Sequence, residues 1–194
     1  MKKIARNELL PYKEYVQVHE KFLQRVIAEK KIRRFTLNER MSGLFETRLT
    51  VWYQIQEMIR AEEIEREEYL EDMLSVYNDL LPDDNELSLT LFIEIPNQEQ
   101  LRAFNKTIIG IENSVELRFG DTVITSYEPD SEEEADENYT QSVHYLRLPF
   151  TAEQLSSFKA YEGDVIATVN HANYQSTTTL SPELVASLKK ELES

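Results

Sequence analysis

No cysteine occurs in the 194 residues, which removes disulfides, thiolate nucleophiles, cysteine-ligated zinc and cysteine-held iron–sulfur clusters from the chemistry of this chain. Glycine is nearly as scarce. Gly43, Gly110, Gly120 and Gly163 stand alone, so there is no phosphate-cradling loop, no dinucleotide fingerprint and no Gly-x-Ser-x-Gly elbow. The three histidines, His19, His144 and His171, are not at ligand spacing from one another, and the Glu-x-x-His pair of a di-iron bundle is missing. No apolar run reaches membrane-spanning length, and the basic start Met1-Lys2-Lys3 lacks the apolar stretch of a signal peptide, so a cytoplasmic chain is expected.

Positive charge is also in short supply, with 21 Lys and Arg against 36 Asp and Glu, a net charge of −15. The imbalance is local: Met1 to Arg40 carries +6, which leaves −21 for the remainder. A body that acidic repels phosphate backbones, so no nucleic-acid partner is expected. Basic N-terminal helices meeting acidic surfaces would favour a homo-oligomer.

What is present is a globular composition, 41% apolar and 29% charged, at a length suited to one domain over 1–194. The hydrophobic rhythm divides it. Tyr12, Tyr15, Val16, His19, Phe22, Leu23 and Val26 recur at three- and four-residue spacing, and the helix they predict ends in Lys30, Lys31, Arg33 and Arg34. An extended piece over 34–37 and a turn around Ser42-Gly43 follow. Val51, Trp52, Ile55, Met58 and Ile59 mark a second helix, and Tyr69, Leu70, Met73, Leu74, Tyr77 and Leu80 a third that stops at Pro82.

Past residue 85 the period drops to two. Leu87, Leu89, Leu91, Ile93 and Ile95 alternate with polar residues, except at Phe92. Asn97 with Gln100 and Thr151 with Gln154 read as helix-capping pairs, the second with Phe150 and Leu155 as its hydrophobic staple. Gly120-Asp121 reads as a two-residue hairpin turn, His171-Ala172-Asn173 as another turn, and Ser181-Pro182 as a helix start. Leu91 to Pro96 and His144 to Pro149 have the same shape, and each is followed by Glu-Gln-Leu and then by Phe. The expectation is an α+β fold: N-terminal helices packed with a mostly antiparallel sheet built from two βαββ-like units related by duplication. Its regions are 1–85 (helical), 86–127 (first unit), 128–140 (acidic loop) and 141–194 (second unit plus C-terminal helix).

Leu44-Phe45-Glu46-Thr47-Arg48-Leu49-Thr50-Val51 running into Tyr53 to Met58, then Ile109 to Glu112, Ser142 to Arg147 and His171 to Tyr174, resemble in order the bacterial domain-of-unknown-function 3501 family. The resemblance spans nearly the whole chain and implies no reaction. It does imply a context: such proteins tend to be encoded beside rubrerythrin-like proteins and iron–sulfur oxidoreductases, so it suggests an accessory role in redox or oxidative-stress metabolism with such proteins as partners. The chain departs from the family pattern at Thr47 and Leu49, where Asn and Asp are usual.

The densest polar cluster is Glu46, Arg48, Gln54, Gln56 and Glu57. A carboxylate beside an arginine at a helix start could bind an anionic or planar ligand; the simpler reading ties a loop to the helix end through Glu46 and Arg48, with Gln54 and Glu57 solvated. His144 shares a strand face with Leu146 and Leu148 and joins the ligand-binding candidates, whereas His19 reads as a hydrogen-bonded core residue. A metal site of the vicinal-oxygen-chelate type would use His144, His171 and Glu94, and lacks paired ligand positions. Asp130, Glu132, Glu134, Asp136 and Asn138 echo a calcium loop, with Ala135 where the glycine belongs and Gln141 where the bidentate glutamate belongs. No metal and no cofactor is expected. The leading expectation is a non-catalytic accessory or binding protein; the alternative is a small enzyme or ligand sensor with a pocket between helices and sheet, using Glu46, Arg48 and His144.

Overall fold

The computed structural model describes residues 1–129 and 138–192, so the calcium-like stretch at Asp130, Glu132, Glu134 and Asp136 lies outside the described residues. The chain clusters into two compact units, Met1–Arg33 with Glu46–Asp83, and Arg34–Phe45 with Asp84–Ser194.

The first unit is helical: α1 (Tyr12–Arg33), α2 (Arg48–Ala61) and α3 (Glu67–Asn78). Its core gathers Tyr15, Val51, Trp52, Ile55, Ile59, Leu70 and Leu74 with Ile4 and Leu9 from the N-terminal segment. The spacing argument thus finds the right faces, with two exceptions. Val16 and Tyr69, expected among the buried positions, are exposed. The basic end of α1, Lys30, Lys31 and Arg33, complements the helix dipole as expected.

Helix α2 ends in a motif that no glycine announces. Glu62 donates its backbone N–H to Met58, Ile64 reaches back to the Ile59 carbonyl (3.1 Å), and Glu63 between them takes the left-handed conformation at φ 50°. Glycine normally fills that position because a Cβ there is strained. Glu63→Gly is therefore expected to raise the unfolding free energy by about 0.5–1 kcal/mol, read as a higher urea midpoint; an unchanged or lower midpoint would show that Glu63 is relaxed.

Among the described residues the second unit carries eight strands: β1 (Arg34–Asn38), β2 (Met41–Phe45), β3 (Glu86–Ile93), β4 (Val115–Phe119), β5 (Thr122–Thr125), β6 (Val143–Pro149), β7 (Ile166–His171) and β8 (Tyr174–Thr179). They form two antiparallel sheets, β1-β2-β3-β6 and β5-β4-β7-β8, where one sheet was expected. Helices α4 (Gln98–Asn105), α5 (Ala152–Ala160) and α6 (Pro182–Glu191) complete it, and the order β-α-β-β occurs twice. The leading strands of the two stretches, β3 and β6, pair with each other, while each hairpin goes to the second sheet. One core joins Leu87, Leu89, Leu91, Leu146 and Leu148 to Leu117, Phe119, Val169, Phe158 and Leu184.

All three expected caps form: Asn97 accepts from Gln100 N–H, Thr151 from Gln154 N–H and Ser181 from Leu184 N–H. The turn placed at Ser42-Gly43 is instead at Glu39-Arg40, where the Asn38 side chain accepts from Arg40 N–H (2.8 Å), and Ser42 and Gly43 lie inside β2. Gly43 marks a close approach, not a turn: a Cβ there would stand 2.3 Å from Phe35 Cζ and 3.1 Å from Leu89 Cδ1. The polar face of β3 is also closed rather than solvated, since Ser88 and Thr90 are buried. Among the described residues no helix is long and apolar enough to cross a membrane.

Candidate functional site

The polar residues of the 46–57 stretch stand at the start of α2 and on different sides of it, Gln56 buried and Gln54 and Glu57 half-buried. Thr47 caps the helix, its hydroxyl accepting from Thr50 N–H (3.2 Å), while Thr50 Oγ1 accepts from Thr47 N–H (2.8 Å). Threonine and asparagine both serve as N-caps, so the departure at Thr47 keeps this local function. Glu46 is buried and its carboxylate accepts from the Thr50 hydroxyl. Leu49 packs partly buried against the helical core.

Arg48 and Gln56 hold the N-terminal segment. The Arg48 guanidinium donates to the carbonyls of Lys2 (2.8 Å) and Lys3 (3.2 Å) and to both oxygens of Glu8 (2.6 and 2.7 Å). Gln56, fully buried, takes both backbone groups of Leu10: Leu10 N–H donates to Oε1 (2.6 Å), and Nε2 donates to the Leu10 carbonyl (3.2 Å). Trp52 Nε1 donates to the Glu8 carbonyl (2.9 Å), and Asn78 pairs with both backbone groups of Ile4 (2.8 and 3.0 Å). These contacts bridge segments some 40–75 positions apart in sequence, which is why Trp52 and Asn78 carried no sequence signal of a polar role.

Glu57 is the centre of a second network. It accepts from the Tyr15 hydroxyl (2.9 Å) and from the Arg60 guanidinium (2.9 and 3.2 Å). Burial pushes its carboxyl up, but the hydrogen bonds from Arg60 and Tyr15 outweigh that and leave it below the ordinary carboxylate value. The Tyr15 phenol is driven far above its usual value, first by burial and then by Glu57. His19, expected to be hydrogen-bonded, has Nε2 at 3.1 Å from Glu57 Oε1 but out of line for a hydrogen bond. Gln54 lies half-buried on the same helix.

Glu8 yields a pH prediction. The Arg48 guanidinium, helped by Ala5 N–H, holds the Glu8 carboxyl below its ordinary value against a small opposing effect of burial. A carboxyl lowered on folding adds stability above its unfolded pKa, ~4.3, and that contribution is lost as pH falls through the lower folded value. Arg48→Met should therefore flatten the loss of stability in the acid limb below about pH 4.5, measured by urea titrations at stepped pH; an acid limb as steep as that of the parent would rule out this linkage.

In the second unit His144 is buried on the core face of β6, as its place beside Leu146 and Leu148 implied. Nδ1 lies 2.8 Å from Glu128 Oε2, and Nε2 lies 3.1 Å from both Thr140 Oγ1 and the Gln141 carbonyl. With the proton on Nδ1, the imidazole donates to Glu128 and the Thr140 hydroxyl donates to Nε2. Glu128 also accepts from Tyr145 N–H (2.8 Å). His171 instead is the last, half-buried residue of β7, paired with Tyr174, so that the turn expected at His171-Ala172-Asn173 is Ala172-Asn173 alone; its Nε2 lies 2.9 Å from the Ile109 carbonyl, and Glu94 is exposed. Among the described residues no three His, Cys, Asp or Glu side chains converge as a metal group would require.

One open feature of the helical unit was not foreseen. A groove of about 610 Å³ runs between the end of α2 and α3. Met58, Ile64, Met73, Val76 and Tyr77 supply its apolar lining, and Glu62, Glu63, Glu65 and Asp72 its carboxylates. Tyr69, with Arg66 stacked on its ring at 5.8 Å, stands at its side.

Comparison with known proteins agrees with the resemblance read from the sequence. The family model described as "Protein of unknown function (DUF3501)" matches residues 3–192. Among curated proteins none matches. A crystal structure of a novel protein of unknown function from Burkholderia pseudomallei K96243 is similar over 98% of this chain and 100% of its own, with 32% identity and a TM-score of 0.90.

Proposed function

We propose, from the premise that this chain belongs to the DUF3501 family of proteins of unknown function, that it is a non-catalytic accessory protein which binds partner proteins through its helical unit. The observation that carries this reading is the groove beside α3, where apolar side chains stay exposed under an acidic rim. The polar groups that could have formed a ligand site in the family stretch are occupied otherwise: Arg48 and Gln56 hold backbone, and Glu57 holds Tyr15 and Arg60. A surface of that kind suits the docking of another protein.

The partner class is the one the resemblance implies: rubrerythrin-like or iron–sulfur redox proteins, beside which proteins of this family tend to be encoded. The test is sedimentation velocity of the purified protein mixed with each of those products at low salt and at about 0.5 M salt, where surface charge is screened. A complex that forms at low salt and weakens at high salt is expected. Absence of a complex with every such product at low ionic strength overturns the redox-accessory reading.

The alternative, a small enzyme or ligand sensor, draws its support from the relay Thr140, His144 and Glu128. Native mass spectrometry showing a retained small molecule, in a protein that captures no partner, would favour it.

A further inference from the structure

We infer that the α2–α3 groove receives a basic amphipathic helix of a partner protein, with apolar anchors in the groove and cations against its rim. The inference rests on the binding role proposed above and identifies the chemistry of the occupant.

Three features fix that chemistry. Tyr69, Asp72, Met73 and Val76 stand at i, i+3, i+4 and i+7 on α3, so they share one face. Along that face Tyr69 is 52% and Val76 66% exposed, although both are large apolar residues, and α3 is otherwise amphipathic with Leu70 and Leu74 buried. An unpartnered stripe with helical spacing, beside a second helix end, is the geometry of helix-in-groove recognition. At twelve residues α3 is about 18 Å long, enough for some three turns of a docked helix.

Met58 and Met73 supply the adaptable part of the lining, since unbranched thioethers re-pack around anchors of different shape. The rim selects by charge. Glu62, Glu63, Glu65 and Asp72 line the groove against the single cation Arg66, and Glu65 is also paired with Lys13 (3.0 Å). Glu62, Glu63 and Asp72 are exposed carboxylates at the groove. A helix with Lys or Arg flanking its anchors matches this rim, and an acidic helix is repelled by it.

The test uses three fluorescein-labelled 18-residue peptides and fluorescence anisotropy with the full chain. One peptide carries leucines at i, i+4 and i+7 with lysines on the flanks, one replaces the lysines by glutamates, and one scrambles the first so that its leucines share no face. The lysine peptide should bind at least about tenfold more tightly than either of the others, and the Tyr69→Ser/Val76→Ser variant should lose at least about tenfold of that affinity. Both positions are exposed, so the variant should keep its far-UV circular dichroism and melting curve. Glu62→Lys/Asp72→Lys should weaken the lysine peptide and strengthen the glutamate one.

Equal affinity for the scrambled peptide, or no loss in Tyr69→Ser/Val76→Ser, overturns the inference. Concentration-dependent self-association that the same variant abolishes also overturns it, because the occupant is then a second copy. A redox-protein complex that forms normally with Tyr69→Ser/Val76→Ser retires the groove but leaves the accessory role intact. Groove-dependent binding of the lysine peptide supports the inference even where no redox complex is found.

Discussion

Gln56→Leu should lower the unfolding free energy by about 2–4 kcal/mol, the largest loss expected from any single polar change in the helical unit. The Gln56 side chain is fully buried and satisfies both the N–H and the carbonyl of Leu10. Leucine is close in size, so packing survives, but two part-buried backbone groups lose their partners at roughly 1–3 kcal/mol each, partly relieved if the segment frays into water. The reading is a urea midpoint that falls with little change in slope. Gln54→Leu, two positions earlier on the half-buried side of the helix, is the control and should stay within about 0.5 kcal/mol. A midpoint for Gln56→Leu that matches the control would mean that the N-terminal segment is not anchored through this side chain.

The second large effect belongs to Gly43. Alanine there would put its Cβ 2.3 Å from Phe35 Cζ, and the Phe35 ring is itself packed against Phe45 at 5.5 Å between centroids. The ring cannot swing away freely as a lysine tip would, so Gly43→Ala should cost about 1–3 kcal/mol by overpacking. Shortening the ring partner tests the cause. In Phe35→Leu the space opposite Gly43 opens, and the alanine should then cost markedly less than in the parent, a coupling visible in a double-mutant cycle. Additive costs would place the strain elsewhere.

Period and punctuation made most of the fold legible. Leu87 to Ile93 alternates and is a strand; Val51, Trp52, Ile55 and Ile59 repeat at helical spacing and are buried on one face; Thr151 and Gln154 form their reciprocal cap. Those signals are local, and the local chemistry is strong enough to survive in any tertiary setting. The misreadings came from tertiary requirements. Gly43 looked like a turn because glycine is usually used for backbone freedom, whereas here it makes room for a ring on the neighbouring strand. Tyr69 and Val16 fit the apolar period and yet face outward, since periodicity cannot distinguish a stripe that is buried from one awaiting a partner.

The candidate residues divide along the same line. That Glu46, Arg48, Gln56 and Glu57 form a polar cluster could be read from their density, and the burial of His144 from its strand face. What they hold could not be, because the partners Glu8, Leu10 and Tyr15 are tens of residues away in sequence and are brought beside them by folding alone. The groove was invisible for a related reason: Glu63 gives no hint in sequence that it will adopt the left-handed turn that brings α3 beside the end of α2.

The route of the polypeptide has a practical consequence. The chain leaves the helical unit after Arg33, deposits a hairpin over 34–45 in the sheet-bearing unit, and returns at Glu46. A cut at the obvious change of rhythm near residue 84 would thus take β2 away from β3, baring a row of backbone donors and acceptors from Met41's partner Ile93 to Phe45's partner Leu89. Such a raw edge invites intermolecular pairing, so a C-terminal fragment should precipitate rather than fold. Gene rearrangement meets the same obstacle as the experimenter: this polypeptide can be inherited or fused as a whole, but not divided at that point into two working pieces.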